Sequence, residues 1–144
     1  QGVQLAVVAG RNRALRARLQ ATQWLQPTYI YGFVSQIARL MSAADLIVTK
    51  AGPGTIHEAF IAGRPLLLIG AIPGQESGNV HLVVKGQAGV WTPKPLEAAA
   101  LVARWTGPDD ATLSHMATRA RALAHPQAAA NAADEIWRLS NPAL

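Results

Sequence analysis

Apolar residues along this chain switch repeatedly between two spacings. Short, nearly continuous apolar runs bounded by Gly, Pro or charge alternate with stretches whose apolar positions recur at i, i+3 and i+4. The first spacing reads as buried strands and the second as helices. Strands are predicted at 4–9, 28–31, 45–49, 65–69 and 88–91, and helices at 12–23, from Ser35 through Met41, and at 55–62, 79–86, 95–105, 110–124 and 126–139. Gly10 ends the first run, Pro27 and Gly32 bound the second, and Gly63 closes the third helix, the punctuation expected of strand ends and helix stops. Pro95 and Pro126 in first turns are ordinary helix starts.

Strands apolar on both faces that alternate with helices imply an α/β domain, a Rossmann-like parallel sheet of about five strands with helices on both faces. In such sheets ligands bind at the carboxyl ends of the strands. The loops after Ala9, Tyr31, Thr49, Ile69 and Trp91 are therefore the places to look for chemistry.

The 144 residues fit one domain, expected to span 1–144 without a linker. Half are apolar and 15% charged, which excludes a disordered chain. No apolar run reaches the ~18 residues of a membrane span. Gln1-Gly2-Val3-Gln4 leads straight into a strand-like run, so no secretory signal is expected here. With no Cys, disulfides, Cys-based zinc sites and thiol chemistry are excluded, which is compatible with the cytoplasm. Four dispersed His residues, none at His-x-x-x-His spacing, argue against a His-based metal site. The net charge of +5 suits an anionic partner. Nucleic acid is not expected, because the 6% aromatics do not interleave with the basic residues. The cluster Arg11, Arg13, Arg16 and Arg18 reads as a solvated helix face.

The loop after the third strand reads Thr49-Lys-Ala-Gly-Pro-Gly-Thr-Ile-His-Glu-Ala59. Gly52 and Gly54 let backbone approach a ligand closely, and the following helix turns free N–H groups to the same place. Lys50 adds a point charge. A tight strand-to-helix turn explains the same residues, and the loop is neither Gly-x-Gly-x-x-Gly nor a Walker loop. Thr55-x-x-Glu58 has capping-box spacing; equally, Glu58 is placed to accept two ribose hydroxyls one turn above a phosphate. The loop Ala71-Ile-Pro-Gly-Gln-Glu-Ser-Gly-Asn79 gathers amide and carboxylate groups suited to sugar hydroxyls, or is a polar surface loop with Asn79 as a helix cap. His57 reads as structural.

Taken together, Val8-Ala-Gly-Arg-Asn12, Gly32-Phe33, Thr49 to Ile56, Glu58-Ala59, Gly63-x-Pro65 and Pro73-Gly-Gln-Glu-x-Gly-Asn79 resemble the C-terminal domain of monogalactosyldiacylglycerol synthases. Diacylglycerol glucosyltransferases and the lipid II N-acetylglucosaminyltransferase share this plan; all are inverting glycosyltransferases of the two-domain GT-B fold. The resemblance runs from about Val3 to Trp105, and the helices after Asp109 match only in type.

The resemblance implies a site for a UDP-sugar. The backbone at Phe33 would meet uracil, Glu58 the ribose, and Gly52, Gly54 and Thr55 the diphosphate. Gln75 and Glu76 would hold the sugar with Asn79 in support, and Arg11 and Lys50 also match family positions. It implies UDP-galactose or UDP-glucose as donor, diacylglycerol as acceptor, no metal or other cofactor, and a place at the inner membrane face of the cytoplasm.

The resemblance implies that the family's first strand, its glycine-rich loop and the N-terminal domain with the general base lie outside this chain. The chain is thus expected to be an inactive fragment with no catalytic residue of its own. It would supply strands 2 to 6 of a 3-2-1-4-5-6 sheet. The facing edges of its strands at 4–9 and 46–49 would then either close on each other or recruit a strand from another molecule, favouring self-association. Two other readings fit the fold: a UDP-N-acetylglucosamine 2-epimerase-like domain, though the Gln-Glu loop is not its His/Arg set, and a non-catalytic nucleotide-binding module.

Overall fold

The structure, a computed structural model, describes residues 2–108 and 110–141. Five strands alternate with helices: β1 (Leu5–Val8), α1 (Arg13–Ala21), β2 (Thr28–Tyr31), α2 (Ile37–Ala43), β3 (Ile47–Lys50), α3 (Pro53–Ile61), β4 (Leu66–Gly70), α4 (Ser77–Lys85) and β5 (Gly89–Trp91). Three helices follow: α5 (Pro95–Trp105), α6 (Thr112–Ala122) and α7 (Ala128–Ser140). All strand pairs are parallel, as helical crossovers require. The α/β class and the parallel pairing are those expected.

The sheet is not continuous. β1 pairs with β2, in register Leu5↔Thr28 to Val8↔Tyr31, and β3-β4-β5 form a separate three-stranded sheet. β1 and β3 are not hydrogen-bonded to each other, and no strand among the described residues occupies the free edge of either. The expected unpaired edges are present, whereas their direct closure does not occur.

β4 forms the centre of the core. Leu66, Leu67 and Leu68 are wholly buried, each a gain of about 1.5–3 kcal/mol over exposure. Successive side chains leave a strand on opposite faces. Leu66 and Leu68 accordingly pack with Ile56, Phe60, Val83 and Ala120, while Leu67 packs with Trp105 and Met116. Helices therefore cover both faces of β4.

The expectation of strands buried on both faces fails for β1, β2 and β3. Their burial alternates, with Ala6, Val8, Tyr29, Tyr31 and Val48 exposed. The described helices leave one face of these strands uncovered. Helix α7 lies wholly at the surface, and no described helix is long and apolar enough to cross a membrane.

Several helix starts move by two residues. α3 begins at Pro53, whose missing N–H costs nothing in a first turn. α4 begins at Ser77 rather than Asn79, and α2 at Ile37 rather than Ser35. α6 begins at Thr112, where the Asp110 carboxylate accepts its N–H at 2.7 Å.

Candidate functional site

The β3–α3 turn forms because Gly52 serves as an extended N-cap and Pro53 occupies the first helical position. No side chain caps this helix, so the N–H groups of Gly54 and Thr55 lack the partners that a Ser or Asp cap would give. Gly52 is buried, and Gly54 is exposed with open space where a Cβ would project. Thr55, three residues into the turn, is not a cap. The Thr55–Glu58 capping box is therefore absent, and Glu58 stands exposed in mid-helix with no hydrogen bond to its carboxylate among the described residues.

The β4–α4 loop folds against this turn. Gly74 takes a left-handed φ of +78°, which glycine alone adopts at no steric cost, and sets Gln75 at an exposed tip. Glu76 points the other way and is only 3% exposed. One of its oxygens accepts the Ile72 N–H at 2.9 Å and the other pairs with the Lys50 ammonium. These bonds hold the Glu76 carboxyl below its ordinary pKa, Lys50 first and Ile72 second, against the opposing effect of burial. Asn79 donates from its side-chain amide to the Ala51 carbonyl at 2.9 Å, tying α4 to the β3–α3 turn. It does not cap α4, where Glu76 holds the N-cap position without a side-chain bond.

Arg11 and Phe33 form a second group. Both are exposed, and the guanidinium stands 4.9 Å from the ring centroid, within cation–π range. They lie in the loops after β1 and β2. His57 packs edge-on to Phe60 at 5.9 Å, a structural contact. The structure thus brings together Lys50, Gly52, Glu76 and Asn79, and separately Arg11 and Phe33, with Thr55, Glu58 and Gln75 beside the first group along the chain.

Sequence reasoning missed the Ala51 carbonyl and the Ile72 N–H, which orient Asn79 and Glu76. Backbone groups leave no residue-type signal. Surface depressions beside Arg104 and Asp110 and beside Trp24 and Tyr29 include none of the candidate residues. No group of three or more metal-ligating side chains occurs among the described residues.

Residues 1–91 match the family model of the glycosyltransferase family 28 C-terminal domain. The chain is 48% identical over 137 residues to "Probable monogalactosyldiacylglycerol synthase 3, chloroplastic" of Oryza sativa subsp. japonica, covering 95% of this chain and 27% of that protein. It is 44% identical over 137 residues to "Monogalactosyldiacylglycerol synthase 3, chloroplastic" of Arabidopsis thaliana, covering 95% of this chain and 30% of that protein. The chain thus spans under a third of the length of these relatives. Among solved structures, MurG of Acinetobacter baumannii shares the fold, with a TM-score of 0.79 at 21% identity over 95% of this chain and 42% of that one. With its alternating parallel strands and its glycine turn at the start of α3, the chain belongs to the glycosyltransferase family 28 C-terminal domain family.

Proposed function

We propose that this chain is the donor-binding half of an inverting glycosyltransferase that moves a hexose, galactose or glucose, from a UDP-sugar to diacylglycerol at a membrane face. The observation that carries this reading is the uncapped start of α3. Two open N–H groups, a helix dipole and the Lys50 ammonium converge there, the arrangement that holds phosphate groups. Uracil is assigned to the backbone at Phe33, with Arg11 against its ring. Ribose is assigned to Glu58, the diphosphate to Gly52, Gly54 and Thr55, and the sugar to the Gln75 tip. Asn79 steadies this arrangement by holding Ala51.

The names of the 44–48% identical relatives support the galactolipid assignment. Departure of UDP leaves charge on the β-phosphate, and preorganised donors at a helix start stabilise it without a metal. The general base and the acceptor cleft are assigned to the N-terminal domain of the enzyme, so the chain alone turns over nothing.

Calorimetric titration with UDP and ADP tests the reading. UDP is expected to bind at least tenfold more tightly, and equal affinities would refute it.

A further inference from the structure

Lys50 places a cation at the start of a helix. A Cβ on Gly52 would lie 3.2 Å from its Nζ and 3.9 Å from Glu76 Oε1, so the ammonium sits over the N-cap of α3. That end of a helix carries partial positive charge and repels cations. Glu76 offsets the repulsion. Its side chain is 4% exposed while that of Lys50 is 59% exposed, so the carboxylate is built in and the ammonium faces outward. A carboxylate this enclosed, with one oxygen on Lys50 and the other on the Ile72 N–H, presents little surface to a sugar.

We propose that Glu76 is the internal counter-ion of Lys50. It holds the ammonium at the start of α3 while the site is empty and competes with the donor's diphosphate for it. Glu76 thus acts on donor affinity and UDP release through Lys50, as a positioning residue and not as a sugar contact. This rests on the proposed donor site, because the competing anion is the diphosphate of that site. Two effects favour tighter phosphate binding when Glu76 is neutralised: the ammonium is released, and a negative charge beside the phosphates is removed. The opposing effect, loss of a fixed lysine position, is entropic and smaller, since Lys50 stays anchored on β3.

The test is calorimetry of uridine, UDP and UDP-galactose with the wild-type chain, E76Q and the double variant K50M/E76Q. Glutamine has one acceptor oxygen and no charge, so while it accepts the Ile72 N–H it turns its NH2 group toward the ammonium and no longer pairs with it. E76Q is expected to bind UDP about tenfold more tightly, the scale of one charge-assisted hydrogen bond, with uridine unchanged. The ratio of UDP-galactose to UDP affinity is expected to stay at the wild-type value.

The double variant exchanges a neutral pair for a neutral pair and leaves no buried charge unpaired. It therefore reports even where E76Q does not fold: because it also removes the phosphate-facing ammonium it is expected to bind UDP several-fold more weakly than wild type, with the ratio of UDP-galactose to UDP affinity unchanged. Unchanged or weaker UDP binding by E76Q would overturn the proposal. So would a loss confined to UDP-galactose in either variant. A wild-type chain that binds uridine and UDP no better than adenosine and ADP would refute the donor-site reading itself, a result distinct from all of these.

Discussion

At the residue scale, Glu58 and Glu76 are two carboxylates with opposite surroundings. Glu58 stands exposed on α3 without a partner among the described residues, whereas Glu76 is enclosed and doubly bonded. Because Glu58 caps nothing, E58A is expected to leave the melting temperature nearly unchanged while weakening UDP about 10- to 150-fold, the worth of charge-linked bonds to ribose hydroxyls. A 2′,3′-dideoxyuridine nucleotide provides the check: mutant and wild type are expected to bind it equally weakly, and the mutant's deficit persisting with it would exclude the ribose contact. Glu76 governs a pH effect. Its pKa is depressed on folding, first by Lys50 and then by the Ile72 N–H. The folded state therefore binds this proton less readily than the unfolded chain. The resulting stability is complete above the ordinary carboxylate pKa and is lost as pH falls through the depressed value. In thermal melts, the advantage of wild type over E76Q is expected at neutral pH and should shrink on acidification below about 4.5, where unfolded carboxylates titrate.

At the scale of elements, the β3–α3 turn separates what the fold needs from what a ligand needs. A Cβ at Gly54 meets open space, so the protein's own packing does not require glycine there. G54A is expected to stabilise the chain by about 0.4–1 kcal/mol by reducing the freedom of the unfolded chain while weakening UDP, because the methyl group occupies the space assigned to phosphate. Thermal melting and calorimetry on the same variant check the two halves, and unimpaired UDP binding would remove Gly54 from the site. The placement of this turn was legible in the sequence, since Gly-Pro-Gly after an apolar run admits few alternatives. The cap itself was not. Thr55–Glu58 has capping-box spacing, but Pro53 takes the first helical position and shifts the cap to Gly52. Nor was the inward aim of Glu76 legible, because it depends on a lysine 26 residues away and on the left-handed turn at Gly74.

At the scale of the molecule, composition and alternation revealed five parallel strands but not their division into a two-stranded and a three-stranded sheet. Apolar runs record that a strand is made to be buried and say nothing of what buries it. Val8 and Val48 are 41% and 49% exposed, on strands whose free edges pair with nothing among the described residues. Exposed apolar strand edges recruit other strands. The chain is therefore expected to self-associate with rising concentration in sedimentation velocity, and V48K to reduce it. A single monomeric species at every concentration would show that these edges are protected.

The central claim is that the carboxyl ends of these strands hold a uridine diphosphate sugar. A crystal structure of the chain with UDP tests it most directly. The account predicts the ribose hydroxyls on Glu58, the diphosphate over Gly52, Gly54 and Thr55 at the start of α3, and the uracil beside Phe33. UDP bound elsewhere on the chain, or with its phosphates turned away from α3, would contradict it.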